Sequence, residues 1–349
     1  MLKWVFFAAI VATSLTLGSP LHAGAQQGQV PAIASHYPTD QQLAESKEAQ
    51  QHLAKAVALA KDDLVREERL LCSTLGPQRP AVLRQNAGLP PIPREKVGPI
   101  KVFDNLYYFG FNDIGAWALT TSDGIILLDT LNTPEEAAAI VVPALQKVGL
   151  DPARIKAVIL SHGHFDHFGG APYLQDRYHP NVYMAGADWD LIQQPPPPKA
   201  LPQARGRSLP TRDVGVTDGQ KVTVGDTTVT LGLTPGHTPG SIAMIFPVKD
   251  RGKTLTAVLL GGGVDTPDRQ SLAAFEHVIN DIIKKQNPKS SVVLNSHPGV
   301  LSDQIGAVEE LHKTPKGPHP LNFGEERFGR YLDIMIECQR AKVVAKEAR

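Results

Sequence analysis

Between residues 41 and 72 apolar side chains return every third or fourth position. Leu53, Val57, Ala60, Leu64 and Leu71 share one stripe, and Lys, Asp, Glu and Arg fill the positions between them. This spacing predicts an amphipathic helix over 41–72. The stretch that follows, "GPQRPAVLRQNAGLPPIPREKVGP", carries too much Pro and Gly for a helix or a central strand and reads as a linker or a surface-draped segment. Past residue 99 the period changes. "IKVFDNLYYFG" and "AWALTTSDGIILLDT" set β-branched and aromatic residues around turn residues, with an Asp-Gly hairpin signal in the second. "PEEAAAIVVPALQKVG" reads as a helix with acidic residues in its first turn and Gly149 after its end. "IKAVILSH" is a continuous apolar run, as a strand buried on both faces would be, and completes a βαβ unit.

The second half repeats the alternation. A helix is expected from about Gly169 and a short strand at "NVYMAG". "KVTVGDTTVTLGLTPGH", "SIAMIFPVKD", "TLTAVLLGG" and "SSVVLNSHPG" read as strands, and "SLAAFEHVINDIIKKQ" as a helix. The C-terminal "GEERFGRYLDIMIECQRAKVVAK" is helical in composition, with Phe328, Leu332, Met335 and Ile336 on one stripe. Strands followed by helix, in two halves, suggest helices layered outside two packed sheets. "QQPPPPKALPQARGRSLP" can be neither central strand nor helix; a solvated connection and a flap beside a site are both open readings.

The N-terminus does not share these patterns. Lys3, the apolar "WVFFAAIVATSLTL" and "LHAGAQQ" with an A-x-A site ending at Ala25 have the order of a secretory signal. The expected organisation is therefore a signal over 1–25, an N-terminal helical extension and linker over 26–98, and a main domain over 99–349, periplasmic or secreted. Export permits a disulfide. The chain has 2 cysteines, Cys72 and Cys338; a bond between them and two unrelated buried thiols are equally open, while a cysteine-based zinc finger or C-x-x-C redox centre is excluded. Lys+Arg and Asp+Glu are both 35, for a net charge of +0, so no field favours nucleic acid or an anionic membrane surface. The expected partner is a small-molecule substrate, with no membrane association once the signal is removed. The pattern does not speak to oligomeric state.

The chemistry concentrates at "SHGHFDHFGG", residues 161–170, where three histidines and an aspartate crowd one turn at the end of a buried strand. His237, in "TLGLTPGHTPGS", and His297, in "VVLNSHPGV", follow other strands in the same way. Three such strand ends can converge on one sheet edge. Imidazole and carboxylate without thiolate suit zinc best, with nickel, iron or manganese as alternatives. Five histidines and one aspartate exceed the needs of a single tetrahedral ion and suit two ions, each keeping an open position. His36, His52, His179, His277, His312 and His319 have no such company and are not assigned to the site. Asp129, at the end of "GIILLDT", could orient a ligand imidazole or cap the helix starting near Pro134.

In this order, "WALTTSDGIILLDT", "SHGHFDH", "LTPGHTPGSIA" and "LNSHPG" resemble the metallo-β-lactamase superfamily over about residues 100–312, and most closely its subclass B3. The resemblance implies an α/β fold, an αββα four-layer sandwich with its site at one edge of the sheets, here with an N-terminal helical extension. It implies that His162, His164 and His237 hold one Zn2+ and Asp166, His167 and His297 a second. It further implies opening of a β-lactam amide by a hydroxide shared between the ions, with Asp166 also acting as a catalytic residue that orients the nucleophile. Thioesterases, lactonases and nucleases of the family usually add a metal-bridging aspartate where this chain reads "LLGGG". Asp265 lies a few residues later, off that spacing. The B3 enzymes generally carry serines there that receive the antibiotic carboxylate, whereas this chain has "GGGVDTP", with Thr266 nearby. A metallo-β-lactamase-fold hydrolase of a lactone, ester or thioester is therefore the alternative.

Overall fold

Apolar residues on both faces of successive short segments require a layer on each side, and the chain supplies them. In this computed structural model, which describes residues 37–74, 93–196, 202–262, 268–298, 304–313 and 317–348, the strands form two sheets. The first runs β1 (Lys96–Phe103), β2 (Leu106–Phe111), β3 (Gly115–Thr121), β4 (Gly124–Leu128), β5 (Ile155–Ile159), β6 (Asn181–Ala185) and β7 (Val214–Val216), in that spatial order. The second contains β8 (Lys221–Val224), β9 (Thr227–Leu233), β10 (Ile242–Asp250), β11 (Lys253–Leu260) and β12 (Ser290–Asn295), ordered β12-β11-β10-β9-β8. Hairpins make β1 to β4 and β8 to β11 antiparallel. Helical crossovers make β4 to β6 parallel, the connection to β7 leaves it parallel to β6, and the crossover between β11 and β12 is also helical.

Alternation within strands sorts the core into layers. Ile126 and Leu128 of β4 join Trp117, Ile159, Met244, Phe246, Leu259 and Leu294 between the sheets. Their neighbours Ile125 and Leu127 face the other way, onto Val141, Leu145, Phe168, Leu174 and Trp189 of the helices covering the first sheet. Ala243, Ile245 and Val258 face Phe275, Ile279, Phe328, Leu332 and Met335 on the outside of the second sheet. Each large apolar side chain fully buried in this way contributes roughly 1.5–3 kcal/mol. The result is the expected helix-sheet-sheet-helix sandwich.

The N-terminal helices form part of the outer layer over the second sheet, and they correct one expectation. The stretch 41–72 is not one helix but three, Asp40–Glu45, Lys47–Ala60 and Val65–Leu71. Ser46 both ends the first and caps the second, its side chain accepting from Ala49 N. Lys61, at φ 46°, breaks the chain again. Asp63 beyond that break is held by the Arg330 guanidinium at 2.7 Å. Val57, expected on the buried stripe, is 59% exposed, while Ala56 takes the inner position. The C-terminal helix, Glu325–Glu347, is buried nearly all round because the second sheet lies on one side and the N-terminal helices on the other. Cys72 and Cys338 are joined in a disulfide across this seam. His52 and Glu337 meet there at 2.6 Å, and Lys342 donates to Leu71 O at 2.7 Å.

The first strand opens at Lys96, ahead of the expected start at residue 99, because Lys96 and Val97 already pair with β2. The signal over 1–25, residues 75–92 of the linker, residues 197–201 of the proline-rich segment, and Asp265 and Thr266 lie outside the described residues; past 201 that segment, expected to hold no helix, contains the short helix Pro202–Arg205. Among the described residues no helix is long and apolar enough to cross a membrane.

Candidate metal centre

All six residues singled out in the sequence meet at one edge of the sandwich. The two sheets are joined there by backbone bonds: Ile242 N donates to Ser161 O at 3.0 Å and Gly115 N to Ser296 O at 3.4 Å. His162 lies just past β5, and His164, Asp166 and His167 occupy the turn and the short helix Phe165–Phe168. His237 stands not on a strand but in the loop between β9 and β10, and His297 follows β12.

The six divide into two adjacent trios, His162 with His164 and His237, and Asp166 with His167 and His297. Within each trio one ligand atom per residue lies within 4.8 Å of the others. His164 Nδ1 is 3.1 Å from His162 Nε2 and 3.0 Å from His237 Nε2. Asp166 Oδ2 is 3.6 Å from the Nε2 atoms of both His167 and His297. The trios touch, since the His162 and His167 ring centroids are 3.9 Å apart.

Hydrogen bonds on the far side of the rings decide which nitrogen faces inward. Asp129 Oδ2 accepts from His167 Nδ1 at 2.8 Å and from Ser161 Oγ at 2.8 Å. Ser161 Oγ in turn receives His162 Nδ1 at 3.0 Å. His297 Nδ1 donates to Asp113 O at 2.7 Å. With their protons used there, His162, His167 and His297 turn Nε2 lone pairs inward. Buried His167 Nε2 has no hydrogen-bond partner at all. An orphaned nitrogen among converging lone pairs and one carboxylate suits a cation and little else.

Asp129 is thus an orienting acceptor, and the cap of the helix beginning at Pro134 is Thr133, whose side chain accepts from Glu136 N. Asp129 itself sits at φ 59°, a left-handed conformation that non-glycine residues adopt where the surroundings force it. The protonation preferences follow from burial and mutual charge. Burial, reinforced by the neighbouring imidazoles, drives His162 and His237 well below the usual histidine value. Burial also lowers His164 and His297, against the pull of Asp166. For His167 burial acts downward too, but the Asp166 and Asp129 carboxylates outweigh it and raise the ring. Burial pushes Asp166 up, and the surrounding His167, His297 and His164 overcome it, leaving the carboxyl at about 2. Four neutral rings beside a permanent carboxylate are in the state metal binding requires.

The sequence reading passed over Asp188. This fully buried carboxylate accepts from Gly163 N at 2.6 Å, Thr238 Oγ1 at 2.6 Å and Gly240 N at 2.8 Å. Its local signal, an aspartate on a helix after "NVYMAG", is no different from a surface acid. Three of the histidines set aside have ordinary structural partners. His52 pairs with Glu337, His277 with Asp218 and Asp281, and His319 stacks on Phe103 while bonding Val102 O.

With this geometry in hand, comparison with known proteins is direct. Residues 111–252 match the family model described as the metallo-beta-lactamase superfamily. The chain carries the metallo-beta-lactamase fold. Among solved structures it is similar to the native FEZ-1 metallo-beta-lactamase of Legionella gormanii, with a TM-score of 0.57 and 24% identity over 70% of this chain and 94% of that one. At that identity the likeness is one of fold. Among curated proteins it is similar to a probable polyketide biosynthesis zinc-dependent hydrolase, BaeB, of Bacillus velezensis, at 33% identity over 26% of this chain and 35% of that protein. It is similar too to a hydroxyacylglutathione hydrolase of Rippkaea orientalis, at 31% identity over 41% of this chain and 52% of the relative. The chain thus spans about a third of the first relative and about half of the second. The family is metal-dependent, and the two trios are groups able to hold metal in the metallo-beta-lactamase fold.

Proposed function

We propose that this chain is an exported hydrolase with two zinc ions, one held by His162, His164 and His237 and the other by Asp166, His167 and His297. The observation that carries this reading is the pair of adjacent trios, each offering the three protein ligands that a catalytic zinc keeps. Zinc ions bound there supply Lewis acidity toward a carbonyl oxygen and a water of lowered pKa. The chain's own residues do the rest. Asp166, ionised through the working pH range, accepts a hydrogen bond from the attacking water and orients it. Asp129 keeps the proton of His167 on Nδ1, so Nε2 stays available. The apolar N-terminal run and the Cys72–Cys338 bond support a periplasmic or secreted location.

The substrate we assign is the β-lactam amide, with Gly262 as the supporting observation. A Cβ at Gly262 would lie 2.4 Å from the His237 ring, so this strand end has no room for the bridging carboxylate expected of thioesterase-type relatives. A second reading, hydrolysis of a thioester, lactone or ester at the same centre, is favoured by the hydroxyacylglutathione hydrolase and polyketide hydrolase matches. Zinc-loaded protein assayed on nitrocefin beside an acyl-homoserine lactone and a hydroxyacyl thioester tests both. Turnover of nitrocefin that stops with EDTA and returns with zinc is the expected result. Turnover of the thioester or lactone alone selects the second reading, and zinc-independent turnover of any of them removes the dinuclear reading.

A further inference from the structure

Asp188 has no counter-cation among its hydrogen-bond partners, which are three neutral donors from two separate loops. Gly163 separates His162 from His164; Thr238 directly follows His237, and Gly240 lies in the same loop. One carboxylate therefore links the two backbone segments that present the first trio. Both glycines are shaped to it: a Cβ on Gly163 would come 3.1 Å from Asp188 Cβ, and one on Gly240 would come 2.7 Å from Asp188 Cγ. Thr238 Oγ1 also meets Ser241 Oγ at 2.9 Å, so the second loop is folded around the same acid. None of these bonds reaches the short helix Phe165–Phe168, which carries Asp166 and His167, or the end of β12 carrying His297. His167 is held instead by Asp129 and Thr130, and His297 by Asp113 O.

We infer that Asp188 is a positioning residue for the first metal position alone, a clasp that sets the separation of His162 and His164 from His237 without touching the ion. This rests on the two-ion reading above. Burying an acid that bonds only neutral donors carries a desolvation penalty, and three short hydrogen bonds offset it only while all three donors stay in register. The arrangement is rigid for that reason: a shift of either loop strands a buried charge.

The test measures zinc affinity by competition with a chromophoric chelator in two single-site backgrounds. In His297→Ala protein the first trio is intact; in His237→Ala protein the second is. Asp188→Asn is expected to weaken zinc about 10–100-fold in the first background, the cost typical of losing an outer-sphere support, and about twofold or less in the second. Thr238→Val, which removes one donor and leaves the acid, should shift affinity the same way by about 3–10-fold and keeps the test decisive if Asp188→Asn folds poorly. Equal losses in both backgrounds, or none in the first, overturn the assignment. If the parent binds no zinc in either background, the two-ion reading itself fails, an outcome separate from these.

Discussion

The histidine edge and the outer helical layer over the second sheet both gather residues far apart in the chain, but by opposite physics. In the helical layer, apolar side chains such as Leu64, Phe328 and Leu332 are buried together, and a disulfide closes the seam between Cys72 and Cys338. Such contacts are non-directional and stabilise the fold whether or not a ligand is present. At the edge, ring nitrogens of buried His162, half-buried His237 and exposed His164 converge to about 3 Å from one another, polar groups that add little to stability until a cation sits among them. One region stores stability and the other spends it on a site. Substitutions should therefore separate the two cleanly.

The largest separation is expected at the ligands. His237→Ala, or a chelator, should cut kcat/KM on the preferred substrate by on the order of a thousandfold, because a lost ligand removes charge stabilisation made at the reacting carbonyl. The melting midpoint of the metal-free variant should stay at that of the metal-free parent, since the partly exposed ring contributes no net attraction without an ion. A large drop in that midpoint would break the comparison. Next, replacing Cys72 and Cys338 together by alanine should cost roughly 2–5 kcal/mol in denaturant unfolding while leaving turnover at 25 °C unchanged. Asp129→Asn comes third: the orienting bond to His167 weakens, and zinc affinity should fall about 10–100-fold with little change in unfolding.

The smallest effect is a pH dependence of the helical seam. Burial raises Glu337, but the His52 hydrogen bond and charge and the Arg340 guanidinium outweigh it and hold the carboxyl below its usual 4.5. A depressed carboxyl contributes stability that is present above its unfolded value and is lost as pH falls through the folded one. The parent should thus lose stability more steeply than Glu337→Gln as pH is lowered from 4.5, seen as a steeper fall of its melting midpoint.

How much of this was legible beforehand depended on range. The strands "IKAVIL" and "GIILL" announced themselves because both faces of each are buried, so their apolar runs are unbroken. The six metal-type residues were legible because ligand chemistry restricts residue type. Helix breaks at Ser46 and Lys61 were not, because the apolar spacing runs on across both, although Ser46 carries a local capping signal in its bond from Ala49 N. Val57 lost its inner place to Ala56 because close packing against another helix admits the smaller side chain. Asp129 stood between two readings until the fold placed it under His167 and gave the capping role to Thr133.

From its order of residues alone the chain determined its layered class, the donor set of its site and the neutral charge that sets no field for a polyanion, because periodicity, ligand chemistry and net charge are local or additive properties. Only the tertiary structure decided that Cys72 meets Cys338, that Asp129 sits under His167, and that the buried acid at 188 ties two loops. Those are distances between segments distant in sequence. They exist only after the sheets have packed, when the cost of burying each polar group is offset by a partner that no local pattern names.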